Sequence, residues 1–172
     1  IATRNGFTAF GMEKVGTLIT RGVLIDVAAL KGVAVLPDSY PITVEDLQAA
    51  LKRQNLTLRP GDAPIINTGW WTNWTKDPAK FVRVNPGLTT AASEWLARQD
   101  PMLVGMDVAP ISVMPDPDPK LNNPSHQIFL VVNGIHLLEN LKLDQLLASG
   151  AQEFALVLQP IKMTGATGST VA

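Results

Sequence analysis

Leu18-Ile19-Thr20-Arg21-Gly22-Val23-Leu24-Ile25-Asp26-Val27 is the stretch whose reading decides the fold class. It is rich in β-branched and aliphatic residues and reads as a strand buried in a sheet. Three further runs, over residues 63–69, 102–108 and 153–162, have the same character. Gln127-Ile128-Phe129-Leu130-Val131-Val132 suits either a helix or a strand. Helical patterns lie between these runs. Thr43 is placed to N-cap a helix over residues 44–54, with Asp46 three residues on as the capping-box partner. Val44, Leu47 and Leu51 then share one face. Thr89 or Thr90 starts a second helix with Ala92, Trp95 and Leu96 turned inward, and residues 143–148 form a short third one. Strands separated by helices predict an α/β domain with a mixed sheet.

The 172 residues fit one domain. With 46% hydrophobic and 17% charged residues, the chain is core-forming and not disordered. Thirteen Gly and thirteen Pro imply many tight turns between short elements. The net charge of −1 argues against a nucleic-acid partner, which would need a basic face. The opening IATRNGFTAF is neither a signal peptide nor a membrane span, so no membrane partner is expected. Zero Cys excludes disulfides, thiolate metal sites and Cys nucleophiles, and suits cytoplasm or periplasm, with cytoplasm the expectation. His126 and His136 are the only histidines available for acid–base or metal chemistry.

Several motifs resolve to bland readings. Gly165-Ala166-Thr167-Gly168-Ser169-Thr170 lacks the Lys of a phosphate loop and the spacing of a dinucleotide fingerprint, and reads as a turn. There is no G-x-S-x-G elbow. Asp116-Pro117-Asp118-Pro119 carries prolines that forbid a calcium loop, and reads as a stiff surface loop. Asn55-Leu56-Thr57 and Asn73-Trp74-Thr75 are glycosylation sequons that matter only in a secreted chain.

Three features carry more. Trp70, Trp71 and Trp74 cluster after the second strand, beside Gly69, where core packing and a pocket wall both fit. Asp107 ends an apolar strand, where a carboxylate is costly unless it caps a turn or serves a function. Glu139 sits in apolar sequence thirteen residues after His126, across a turn at Asn133-Gly134, so the two can meet. Imidazole and carboxylate suit zinc or manganese, but a catalytic zinc takes three protein ligands and this pair supplies two.

The chain resembles the cyclase family of kynurenine formamidase-like metal-dependent hydrolases, relatives of isatin hydrolase. The resemblance rests on Thr20-Arg21-Gly22-Val23-Leu24-Ile25-Asp26-Val27, Ile42-Thr43-Val44-Glu45-Asp46-Leu47, Leu58-Arg59-Pro60-Gly61-Asp62 and Asn67-Thr68-Gly69-Trp70. It continues through Asn85-Pro86-Gly87-Leu88, Val104-Gly105-Met106-Asp107, His126, Leu138-Glu139-Asn140-Leu141 and Gly165-Ala166-Thr167-Gly168-Ser169. Their order and spacing together are specific.

The resemblance implies a swivelling β/β/α fold, a mixed, barrel-like sheet flanked by helices, incomplete in this chain. It implies hydrolysis of an amide or lactam-like bond in a small, often aromatic substrate, with one or two divalent metals, zinc or manganese. It implies His126 and Glu139 as the downstream metal and catalytic pair. Trp70, Trp71 and Asp107 are the expected substrate-binding residues. The family's upstream H-x-G-T-H-x-D-x-x-x-H-type motif does not occur here, and two histidines cannot build it. Residues 1–172 are therefore expected to form the C-terminal portion of a longer cyclase-like domain. The N-terminal part is then a separate chain, is cleaved or missing from the sequence as given, or the metal site has been lost. In the last case the protein is a non-catalytic binding or structural relative. A partial sheet would expose apolar edges, so a homo-oligomer or a companion N-terminal chain or segment is expected.

Overall fold

The computed structural model describes residues 2–4 and 6–171. The chain divides into two compact units, one of residues 21–154 and one of the residues before Arg21 and after Phe154.

The described elements run in the order β1 (Ala2–Thr3), β2 (Gly6–Phe7), β3 (Leu18–Asp26), α1 (Val27–Leu30), β4 (Pro41–Ile42), α2 (Val44–Gln54), β5 (Ala63–Asn67) and α3 (Asn73–Lys76). They continue with α4 (Pro78–Arg83), β6 (Gly87–Leu88), α5 (Thr90–Ala97), β7 (Leu103–Met106), α6 (Pro124–His126), β8 (His136–Leu138), α7 (Asp144–Ser149) and β9 (Glu153–Leu158).

A five-stranded sheet in the order β8-β7-β5-β3-β9 organises the fold. The pairs β3–β5, β5–β7 and β7–β8 are parallel, with Ile25 opposite Ile66 and Ile66 opposite Met106. Every residue of β5 and β7 is buried, which is why these segments read as unbroken apolar runs. The sheet is open, with β8 and β9 at its edges, as expected for a cyclase-like fold that is incomplete. The last strand ends at Leu158, short of the expected residue 162, because Pro160 has no amide to donate to a ladder.

The helices follow local chemistry. Thr43 Oγ1 accepts from Asp46 N–H, and Asp46 Oδ2 accepts from Thr43 N–H, so the capping box starts α2 where the sequence places it. Tyr40 O–H and Lys31 also reach the Asp46 carboxylate, which leaves no oxygen of this buried group unpaired. Thr89 caps α5 through Ala92 N–H. The ambiguous run 127–132 is a π-helical turn continuing α6; it turns Phe129 into the core and leaves Val131 and Val132 exposed.

In the 21–154 unit, Arg21 bridges Asp62 at 2.8 Å and Glu153 at 2.7 Å, tying three sheet-proximal segments together. In the other unit, Phe7 N–H and Met12 N–H donate to the carbonyls of Gly165 and Ala166. Gly6, at φ 96°, sits so close to the Gly165 backbone that a Cβ would clash at 2.5 Å. The Gly165 segment is thus the turn it reads as.

Candidate active site

Parallel strands send their carboxyl ends to one edge of the sheet, where open α/β sheets hold their ligands. Here β5, β7 and β8 deliver Thr68, Asp107 and Glu139 to that edge, each just beyond the last strand residue.

Asp107 is fully buried and organises the turn after β5. Its Oδ1 accepts from Thr68 N–H at 3.0 Å and from Thr68 O–H at 2.7 Å, and Trp71 N–H points at Oδ2 at 3.5 Å. Burial pushes the carboxyl up to about 6, against these hydrogen bonds, which pull it down. The hydrogen-bonded turn that the sequence allows for Asp107 is present.

That turn separates the tryptophans. Gly69 takes φ 76°, and a Cβ there would lie 2.0 Å from the Ala34 carbonyl, so the chain reverses only with glycine. Trp70 goes into the core at 1% exposure, with its indole N–H toward the Phe81 carbonyl and Lys80 Nζ 5.2 Å above its ring. Its placement is the core one, not the expected pocket wall. Trp71 and Trp74 line a cavity of about 560 Å³ with Thr75, Phe81, Asn140, Leu141, Lys142 and Asp144. Trp74 meets Phe81 edge-on at 5.2 Å. Lys142 Nζ lies 6.0 Å from the Trp71 ring centre and 3.2 Å from Asp144. The cavity therefore combines aromatic faces with one paired cation. Lys142 and Asp144 escaped the sequence reading, although they follow directly on Glu139-Asn140-Leu141.

His126 and Glu139 do meet. Nε2 of His126 is 3.7 Å from Oε1 of Glu139, and both side chains are partly exposed, at 33% and 24%. Glu139 Oε1 also accepts from Ile111 N–H at 2.9 Å, whereas His126 Nδ1 is buried without a hydrogen-bond partner. The pair fits a divalent metal in kind, a borderline nitrogen beside a hard oxygen, separated by more than a hydrogen bond. It covers part of a ligand set, since no cluster of three or more His, Asp or Glu occurs among the described residues.

Comparisons with known proteins agree with this architecture. A solved structure described as a novel cyclase superposes with a TM-score of 0.83 at 32% identity, covering 94% of this chain and 54% of that one. Isatin hydrolase A from Ralstonia solanacearum superposes with a TM-score of 0.75 at 23% identity, covering 94% and 62%, and shares the fold. Kynurenine formamidase from Bacillus cereus is 33% identical over 92 residues, 54% of this chain and 40% of that protein. The chain thus spans less than two thirds of the length of these relatives. A family profile described as "Putative cyclase" matches residues 7–112, a span that takes in the Trp71 turn and Asp107 and ends before His126. With more than half of its length matched, the chain belongs to that cyclase family.

Proposed function

We propose that this chain supplies the C-terminal share of the active site of a metal-dependent hydrolase. The enzyme acts on an amide, lactam or related C–N or C–O bond of a small aromatic substrate. The relatives named kynurenine formamidase and isatin hydrolase support the hydrolase reading. The observation that carries it is the His126–Glu139 pair, two metal-competent donors brought to 3.7 Å from different elements. They hold one side of a divalent metal, zinc or manganese, and the remaining ligands come from a segment or chain outside this sequence. When bound, such a metal supplies Lewis acidity at the substrate carbonyl.

The chain's own residues do the rest. Trp71 and Trp74 offer ring faces to an aromatic substrate. Asp107 holds the backbone turn that carries Trp71. Ile111 N–H occupies one lone pair of Glu139 Oε1 and orients the carboxylate. A homo-oligomer or a companion N-terminal segment completes the sheet at its open edges.

In the full-length protein, His126→Ala is expected to lower both hydrolysis and metal content, the former by orders of magnitude. Metal analysis of purified wild type at below about a tenth of an equivalent per chain overturns the metal reading.

A further inference from the structure

His126 and Glu139 belong to different elements, and one dipeptide reaches both. Ile111 N–H donates to Glu139 Oε1 at 2.9 Å. The next residue, Ser112, places its Oγ 2.7 Å from Ser125 Oγ and accepts from Ser125 N–H at 3.1 Å. Ser125 immediately precedes His126. Ser93 Oγ lies 2.8 Å from Ser125 Oγ and donates to the Thr89 carbonyl at 3.1 Å. All three serines are buried.

Each hydroxyl has one proton, so the directions follow. Ser93 spends its proton on Thr89, Ser125 therefore donates to Ser93, and Ser112 donates to Ser125. A fully satisfied buried chain of this kind admits one arrangement, because any slip leaves a hydroxyl unpaired out of water.

The dipeptide is itself clamped. Asn85 Nδ2 donates to the carbonyls of Pro110 and Ser112, both at 3.0 Å, and Leu88 N–H donates to the Ile111 carbonyl at 2.9 Å. At Gly87 a Cβ would stand 2.4 Å from backbone atoms of Ser112 and Val113, so only glycine lets the two segments approach this closely. This gives Asn85-Pro86-Gly87-Leu88 a task that the hydrolase reading leaves open.

We propose that Ser112 is a positioning residue for the His126–Glu139 pair. Clamped by Asn85 and Gly87, it holds the start of the His126 helix through Ser125, while its neighbour Ile111 holds Glu139. The inference rests on the reading of that pair as metal ligands.

The test is cobalt(II) binding to purified full-length protein, followed by visible absorption, in wild type, Ser112→Ala and Ser93→Ala. Ser93→Ala also deletes a buried hydroxyl and takes the acceptor from the Ser125 proton, but it keeps both bonds between Ser112 and Ser125. Ser112→Ala is expected to weaken cobalt affinity by about tenfold or more and to alter the absorption band, while Ser93→Ala stays within about twofold of wild type. Equal losses in both variants, or none in Ser112→Ala, overturn the proposal. If Ser112→Ala does not fold, Ser112→Cys, which puts a somewhat larger thiol in place of the hydroxyl and weakens the hydrogen bonds, takes its place, with cobalt affinity alone as the readout because a thiolate brings a cobalt band of its own. If wild type takes up no cobalt, the metal reading has failed, and crystal structures of wild type and variant decide the proposal separately. A variant with His126 and Glu139 displaced from each other supports it, and an unchanged 3.7 Å separation overturns it.

Discussion

Asp107 stands one residue beyond β7 with its carboxyl wholly out of water. Its folded group titrates at about 6, and an unhindered one near 3.8. As pH rises, the unfolded chain therefore releases its proton first, and stability falls between about pH 4 and pH 6 before levelling off. A rise of this size corresponds to a loss of about 3 kcal/mol across that window. Asp107→Asn keeps an acceptor for Thr68 and has no proton to lose, so its urea midpoint is expected to lack this fall. Identical pH profiles for the two proteins would show that the native carboxyl ionises at its ordinary value. The sequence shows that Asp107 is out of place in an apolar run, but not what satisfies it. Thr68 lies thirty-nine residues away, and only the β5–β7 register brings the two together.

The elements that the sequence predicts best are those whose ends are made by neighbours in the chain. Helix α2 begins at its capping box and ends at Asn55, which takes the left-handed conformation that short polar side chains tolerate. Thr43→Ala removes the acceptor for Asp46 N–H and is expected to cost about 1 kcal/mol, read as a lowered thermal midpoint with helix content otherwise retained. A midpoint equal to wild type would mean that water satisfies that amide equally well. Strands β5 and β7, and residues 22–25 of β3, were legible for a similar reason, since they are buried throughout and read as nearly unbroken apolar runs. Residues 127–132 were not legible, because a six-residue apolar run has no period to distinguish helix from strand. Contact decides it: Phe129 is wholly buried and Ile135 N–H closes onto the Phe129 carbonyl. The short α3 and α4 were missed because neither has an apolar period of its own. Asp77 caps α4 with Pro78 in its first turn, a signal present in the sequence but brief.

At the scale of the molecule, the open sheet is the main fact. Among the described residues, both edge strands, β8 and β9, have a partner strand on one side only. In the 21–154 unit Trp74, Val82, Val131 and Val132 are exposed, Val131 to 79%. The proposed homo-oligomer or companion segment would cover such surface. For this chain alone, light scattering after size exclusion is expected to give at least twice the chain mass of 18.5 kDa at micromolar concentration. A monomer there overturns self-association, and a companion segment then carries the proposal alone. The sequence by itself determined the types of β3, β5, β7, α2 and α5 and the capped starts of α2 and α5, because each rests on residues near one another in the chain, and it determined the family through the order and spacing of its motifs. It also marked His126 and Glu139 as worth watching. Only the tertiary structure decided the strand order, the inward turn of Trp70 beside the cavity-facing Trp71, and the bonds from Ile111 and Ser112 to the two halves of the site. Periodicity and composition say which side chains leave water, but which remote neighbour receives them depends on how the whole chain packs.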